Sequence, residues 1–140
     1  MMRVSTLEDW DRLAETLAPH LRAGVFVSLR GPLGAGKTCL VRAILRRLGY
    51  EDHVASPSYP LMIRYELEEA GFTHIDAFRL NERDELPWDW SELQSDIVAI
   101  EWPENLKQVP LKFDIDVEIS QDADSDHRDV RIEIQGKEII

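Results

Sequence analysis

The sequence predicts an α/β fold: a mixed β-sheet flanked by helices, with antiparallel strands at the C-terminal end. Three observations carry this. Val25-Phe26-Val27-Ser28-Leu29 is a short apolar run of β-formers that leads through a glycine loop into a helix-patterned stretch over 38–48. Ile97-Val98-Ala99-Ile100 is an unbroken apolar run, the pattern of a central strand covered on both faces. Residues 112–119 and 128–135 alternate in polarity, as the two arms of a half-buried hairpin do. The 140 residues suffice for one domain with a substantial core, so a single domain over 1–140 is expected.

The remaining elements follow in order. Ser5-Thr6-Leu7-Glu8 has the S-x-x-E form of a capping box and predicts a helix start. Leu7, Trp10, Leu13, Ala14 and Leu17 then recur at helical spacing until Pro19. After the glycine loop, Leu40, Val41, Ile44, Leu45 and Leu48 form a second apolar stripe, and Gly49 stops it. Residues 50–60 are rich in turn formers and predict a loop. Residues 61–66 and 72–78 flank Glu-Glu-Ala-Gly and predict a hairpin. Residues 80–95 read as a polar loop with a short helix, in which Trp88 and Trp90 pack the core. The acidic stretch between the two tail strands reads as a solvated turn.

Charge is uneven along the chain. Residues 1–50 hold eight basic and four acidic side chains, and residues 51–140 hold eight and 23, so +4 and −15 make up the net −11. Gripping a nucleic-acid backbone needs clustered basic side chains, so direct nucleic-acid binding is not expected. Most of the carboxylates read as a solvated surface, with docking of a basic partner as the alternative. No apolar run approaches the ~20 residues of a membrane span. The N-terminus lacks the apolar stretch of a signal peptide. The single cysteine, Cys39, excludes an internal disulfide framework and fits a reducing cytosol. We expect a cytoplasmic protein, with Cys39 as a small buried packing residue.

Residues 31–38, Gly31-Pro32-Leu33-Gly34-Ala35-Gly36-Lys37-Thr38, fit the phosphate-binding pattern G-x-x-x-x-G-K-[ST] at every defined position. The glycines let the backbone turn tightly with its N–H groups inward, and such a chain of N–H groups forms an anion nest. The N-terminus of the following helix adds positive potential at the same place. In this pattern Lys37 reaches the β- and γ-phosphates and the Thr38 hydroxyl ligates Mg²⁺. Strand, glycine loop and helix stand in the order the chemistry requires, which predicts a P-loop NTPase fold. The nucleotide-binding set is Gly31 to Cys39 with Trp102, whose bulky ring is placed to shape the pocket or, alternatively, a partner surface.

Hydrolysis also needs a metal-orienting acid and a group that positions water. Two strands end in carboxylates: Ile97–Ile100 runs into Glu101, and Phe72–Ile75 into Asp76. Both acids are placed at the carboxyl edge of the sheet, where such folds bind ligands, and either could hold Mg²⁺ or activate water. His74 alternates with Asp76 and shares its face; it reads as a structural histidine, with a contact to Asp76 as the sharper alternative. The four histidines show no metal-ligand spacing. The loop Val54-Ala55-Ser56-Pro57-Ser58-Tyr59-Pro60 falls where P-loop NTPases place a phosphate-sensing switch, with Ser58 offering the hydroxyl; an ordinary proline turn is the alternative.

Four blocks, Leu29–Thr38, Val54–Tyr59, His74–Leu80 and Glu101–Glu104, together resemble the bacterial TsaE family, also called YjeE, over Val25 to Pro103. The resemblance implies a small Mg²⁺-dependent ATPase, weak alone, that binds the heterodimer of TsaD and TsaB. That machinery installs threonylcarbamoyl on the adenosine beside the anticodon of tRNAs reading ANN codons, and hydrolysis resets it. Lys37 would act on phosphate, and Thr38, Asp76 and Glu101 at the metal. Trp102 would be the family's partner tryptophan and Ser58 its switch hydroxyl. The chain departs from the family pattern mildly: Ser58-Tyr59 stand for Thr-Phe and Phe78-Arg79 for Tyr-Arg. Pro32 replaces a polar residue and removes one backbone N–H. The family's C-terminus is variable, so the resemblance says little of residues 105–140. Two other functions compete. One is a small-molecule kinase, which needs an arginine clamp and an acceptor pocket. The other is a docking module that binds nucleotide without turnover.

Overall fold

Two periodicities, 2 and 3.6, sort the apolar residues of this chain onto a sheet and two helices. The computed structural model describes residues 1–55, 61–81, 83–106, 112–121 and 126–140. The strands are β1 (Met2–Val4), β2 (Phe26–Arg30), β3 (Met62–Glu66), β4 (Gly71–Asp76), β5 (Asp96–Glu101), β6 (Ile115–Gln121), β7 (Arg128–Ile134) and β8 (Lys137–Glu138). The helices are α1 (Leu7–Leu17) and α2 (Lys37–Arg47), with short 3-10 turns at Ala18–His20, Trp90–Leu93 and Pro103–Asn105. Among the described residues no helix is long and apolar enough to cross a membrane.

The sheet runs β1-β7-β6-β2-β5-β4-β3, with β8 on β7. Strands β6, β2, β5 and β4 are mutually parallel, and the flanking pairs are antiparallel. The mixed α/β fold expected from the sequence is therefore present, with the tail hairpin joined to the parallel core through β2. Residues in register share a face, so Val27, Ala99 and Ile115 line one side. There they bury against Leu13, Leu17, Leu40 and Ile44 of the two helices. On the other face Phe26, Ile75, Val98 and Ile100 pack with Trp88, Leu93 and Leu106. Trp90 stands between Phe26 and Trp88, with ring centroids 6.0 and 5.7 Å away.

The helix start differs from expectation by one residue. The N-cap is Thr6, whose Oγ1 accepts from the Asp9 N–H at 3.2 Å, while the Asp9 carboxylate accepts from the N–H of Thr6 and of Ser5. The box is thus Thr6-x-x-Asp9, and Ser5 and Glu8 do not form it. Leu7 is exposed, and the buried stripe begins at Trp10. Strands β1 and β8 are three and two residues long, too short to show a period. At the far edge of the sheet Asp96 accepts from Arg64 Nε and Nη2 at 2.9 and 3.1 Å and from the Thr73 hydroxyl at 2.8 Å. Burial alone would raise this carboxyl. The Arg64 and Thr73 hydrogen bonds outweigh it and hold Asp96 below the usual range.

Candidate active site

Strands β2, β5 and β4 are parallel and end side by side, in the register Leu29–Glu101–Asp76. Every side chain that follows a strand end therefore reaches the same edge of the sheet. The loop after β2 leads to α2, whose first residue is Lys37. Gly36 caps that helix at φ 113°, and a Cβ there would drive into the Trp10 indole of α1. Both the left-handed backbone and the indole demand glycine. A Cβ on Gly31 would lie 2.7 Å from the Ile119 carbonyl oxygen, so the loop begins pressed against β6. On the outer side, Arg128 Nη2 of β7 donates to the Gly34 carbonyl at 3.4 Å.

Lys37 is only 4% exposed. Its ammonium donates to the Gly31 carbonyl at 2.5 Å and the Pro32 carbonyl at 3.0 Å, and sits 4.4 Å from the centroid of the Trp102 ring. Burial pulls its pKa below the ordinary lysine value, and Glu101, Asp76 and Glu104 partly restore it. Pro32 has no N–H to give, but its carbonyl also accepts from Ala35 N–H at 3.1 Å. Gly31 and Pro32 thus act through their carbonyls on Lys37 and do not line the cleft. Residues Leu33 to Cys39 do line it. Thr38 and Cys39 are both half-buried: Cys39 packs against the core, as expected of a small packing residue, but is only partly buried and also lines the cleft wall.

Trp102 follows β5 in the left-handed conformation, φ 57° and ψ 48°, which is rare for a bulky side chain. Three contacts hold its turn in place. The Phe78 ring packs on it at 5.1 Å, Asn105 Nδ2 donates to the Ala77 and Phe78 carbonyls, and Arg30 pairs with Glu104 at 3.3 Å. The two acids differ in setting. Asp76 is half-buried, and its Oδ1 accepts the Phe78 N–H at 3.0 Å. Burial pushes its pKa up and Glu101 adds to this, against the Phe78 N–H, His74 and Lys37. Glu101 is buried, and its Oε2 lies 2.6 Å from Nε2 of His74. Of the two readings of His74, the alternative, a contact to Asp76, is not the one seen: the ring meets Glu101 instead. Two residues along one strand are about 6.6 Å apart, whereas the neighbouring strand is about 4.8 Å away and glutamate is the longer acid.

The cleft encloses about 490 Å³ and brings Lys37, Thr38, Asp76, Glu101 and Trp102 together. Leu61, Phe78 and Arg79 also line it, and none of them was assigned a site role from the sequence; Phe78-Arg79 stands in the His74–Leu80 block, just past Ala77 after Asp76, which was the available signal. Ser58 lies outside the described residues. Leu33 and Phe78 are 72% and 44% exposed at the rim.

A glycine loop and helix N-terminus after a central parallel strand, with acids ending the next two strands, define a P-loop NTPase fold. The same fold is seen in the crystal structure of Bacillus subtilus YdiB, with a TM-score of 0.71 and 22% identity over 92% of this chain and 80% of that one. The family described as "Threonylcarbamoyl adenosine biosynthesis protein TsaE" matches residues 4–130. The chain belongs to the TsaE family, which serves tRNA threonylcarbamoyladenosine biosynthesis. The TsaE of Aquifex aeolicus is 36% identical over 128 residues, covering 89% of each chain. That of Haemophilus influenzae is 35% identical over 144 aligned positions, covering 97% of this chain and 89% of the relative. The family match extends on both sides of the Val25–Pro103 segment that carries the motifs.

Proposed function

We propose that this chain is a Mg²⁺-dependent ATP hydrolase, one domain over 1–140, that works in the cytoplasm with TsaB and TsaD and meets tRNA only through them. The observation that carries the reading is the convergence of Lys37, Asp76 and Glu101 on one cleft, beside a glycine loop and the N-terminus of α2. The loop amides and the helix end supply positive potential for a triphosphate, and Lys37 supplies a partly desolvated full charge. The Trp102 indole and Leu33 to Cys39 both line the cleft and would flank the nucleotide.

The metal fits this donor set. Asp76 and Glu101 stand side by side at the cleft with Lys37; burial first, and then the charge of Glu101, raise the pKa of Asp76, and a cation between the two acids would favour its ionised form. Hydroxyl, carboxylate and phosphate oxygens are the ligands a hard cation takes, so Thr38, Asp76 and Glu101 would hold it. Bound there, Mg²⁺ would offset charge on the phosphate oxygens. Asp76 has one oxygen engaged by the Phe78 N–H and Glu101 one oxygen against His74 Nε2, and each would keep the other for metal or attacking water. Ser58 remains the proposed switch hydroxyl.

Among the described residues that line the cleft, Arg79 is the one arginine, which favours hydrolysis over transfer to an acceptor held by an arginine clamp. Phosphate release from ATP, followed with the chain alone and with TsaB and TsaD added, tests the proposal. Slow release that rises with the partners and is lost in Lys37→Ala is expected. Nucleotide binding without release in either state would leave a docking module.

A further inference from the structure

We infer that His74 is the positioning residue for Glu101: its Nε2–H holds Oε2, so Glu101 works in the cleft through Oε1 alone. The kinetic consequence rests on the proposed hydrolase reading; the geometry stands without it. His74 lies in mid-strand on β4 and is fully buried. Its register partner on β5 is Ala99, whose methyl leaves room for the imidazole to reach Glu101 two residues further on. The Nε2–Oε2 distance is 2.6 Å, a short hydrogen bond to a carboxylate.

The other ring nitrogen fixes the direction of this bond. His74 Nδ1 is buried and, among the described residues, has no hydrogen-bond partner. A proton there would be an N–H stranded in the core, so the tautomer that fits places the proton on Nε2, facing Glu101. A histidine kept only to fill space could be replaced by an apolar side chain with no polar atom to satisfy. Here the hydrogen bond that the ring makes among the described residues goes to a cleft acid. Asp76 shows the same arrangement in shorter form, with Oδ1 held by the Phe78 N–H. Glutamate carries one more rotatable bond than aspartate, and without His74 its carboxylate would sample several rotamers. Partners that orient a ligand or general base in this way contribute about 10- to 100-fold to activity.

Two measurements test this. Long-range ¹H–¹⁵N correlation on ¹⁵N-histidine protein reads the tautomer without any turnover. The Nε2–H form is expected for His74, with its resonance moved by Glu101→Gln; the Nδ1–H form overturns the inference. Kinetics with TsaB and TsaD then compare His74→Gln with His74→Asn, since the glutamine amide reaches the position of Nε2 and the asparagine amide only that of Nδ1. His74→Asn should lose about 10- to 100-fold in kcat, with the Kd for a fluorescent ATP analogue changed less than about 3-fold, and His74→Gln should recover most of the loss. Equal kcat in the two variants, while Glu101→Ala is inactive, overturns the inference. A wild-type chain that never releases phosphate counts against the hydrolase reading, and the tautomer still decides the role of His74.

Discussion

Asp76 and Glu101 end adjacent strands in register, yet their surroundings treat them differently. Asp76 carries a raised pKa through burial and the charge of Glu101. The folded chain therefore holds its proton more tightly than the unfolded chain. Its carboxylate costs stability, and the cost grows as pH climbs from the ordinary value of 3.8 through the raised one. Asp76→Asn should thus melt higher than wild type at neutral pH while losing turnover, a trade of stability against function. A melting temperature that is unchanged or lower contradicts this electrostatic reading. Glu101→Ala should keep nucleotide binding, as read by a fluorescent analogue, and lose about 100-fold or more in kcat. Both acids were legible in the sequence because an apolar run followed by a carboxylate marks a strand end. The bond between His74 and Glu101 was not, because it joins residues 27 positions apart across two strands.

At the scale of elements, α1 buttresses the phosphate loop through Trp10. Gly36→Ala adds a Cβ against that indole and a side chain at φ 113°, so it should cost about 1–3 kcal/mol in stability and weaken ATP binding. Adding Trp10→Leu should recover part of the stability, measured by denaturant unfolding, since it frees space but not the backbone. At the opposite edge, Arg64→Met would leave Asp96 buried with Thr73 alone, costing about 2–3 kcal/mol near neutral pH. Asp96 has a depressed pKa, so its contribution is present above 3.8 and is lost as pH falls through the folded value. Arg64→Met should show little of that acid-labile component. The P-loop strand and helix and the β3–β4 hairpin were legible because each carries its own local period. The one-residue shift of the capping box was not: Ser5 with Glu8 and Thr6 with Asp9 offer equal chemistry, and only the burial of Trp10, Leu13 and Leu17 against the sheet chooses between them.

For the whole molecule, the tail hairpin is the part that motif spacing left undescribed. Its two arms were readable from alternation, but not that β6 would pair in parallel with β2 and bring Ile119 and Arg128 against the phosphate loop. That placement depends on long-range pairing, which no local pattern encodes. The net charge of −11 also acts at this scale. The chain alone should give no gel shift with tRNA at low micromolar protein and physiological salt, and a shift under those conditions would contradict access through partners. The cleft itself is tested most directly by multiple-turnover phosphate release from ATP in the presence of TsaB and TsaD, for wild type and Glu101→Ala. Mg²⁺-dependent release by wild type and its loss in Glu101→Ala are expected. Undiminished release by Glu101→Ala, or none from wild type, contradicts a hydrolytic site built on Lys37, Asp76 and Glu101.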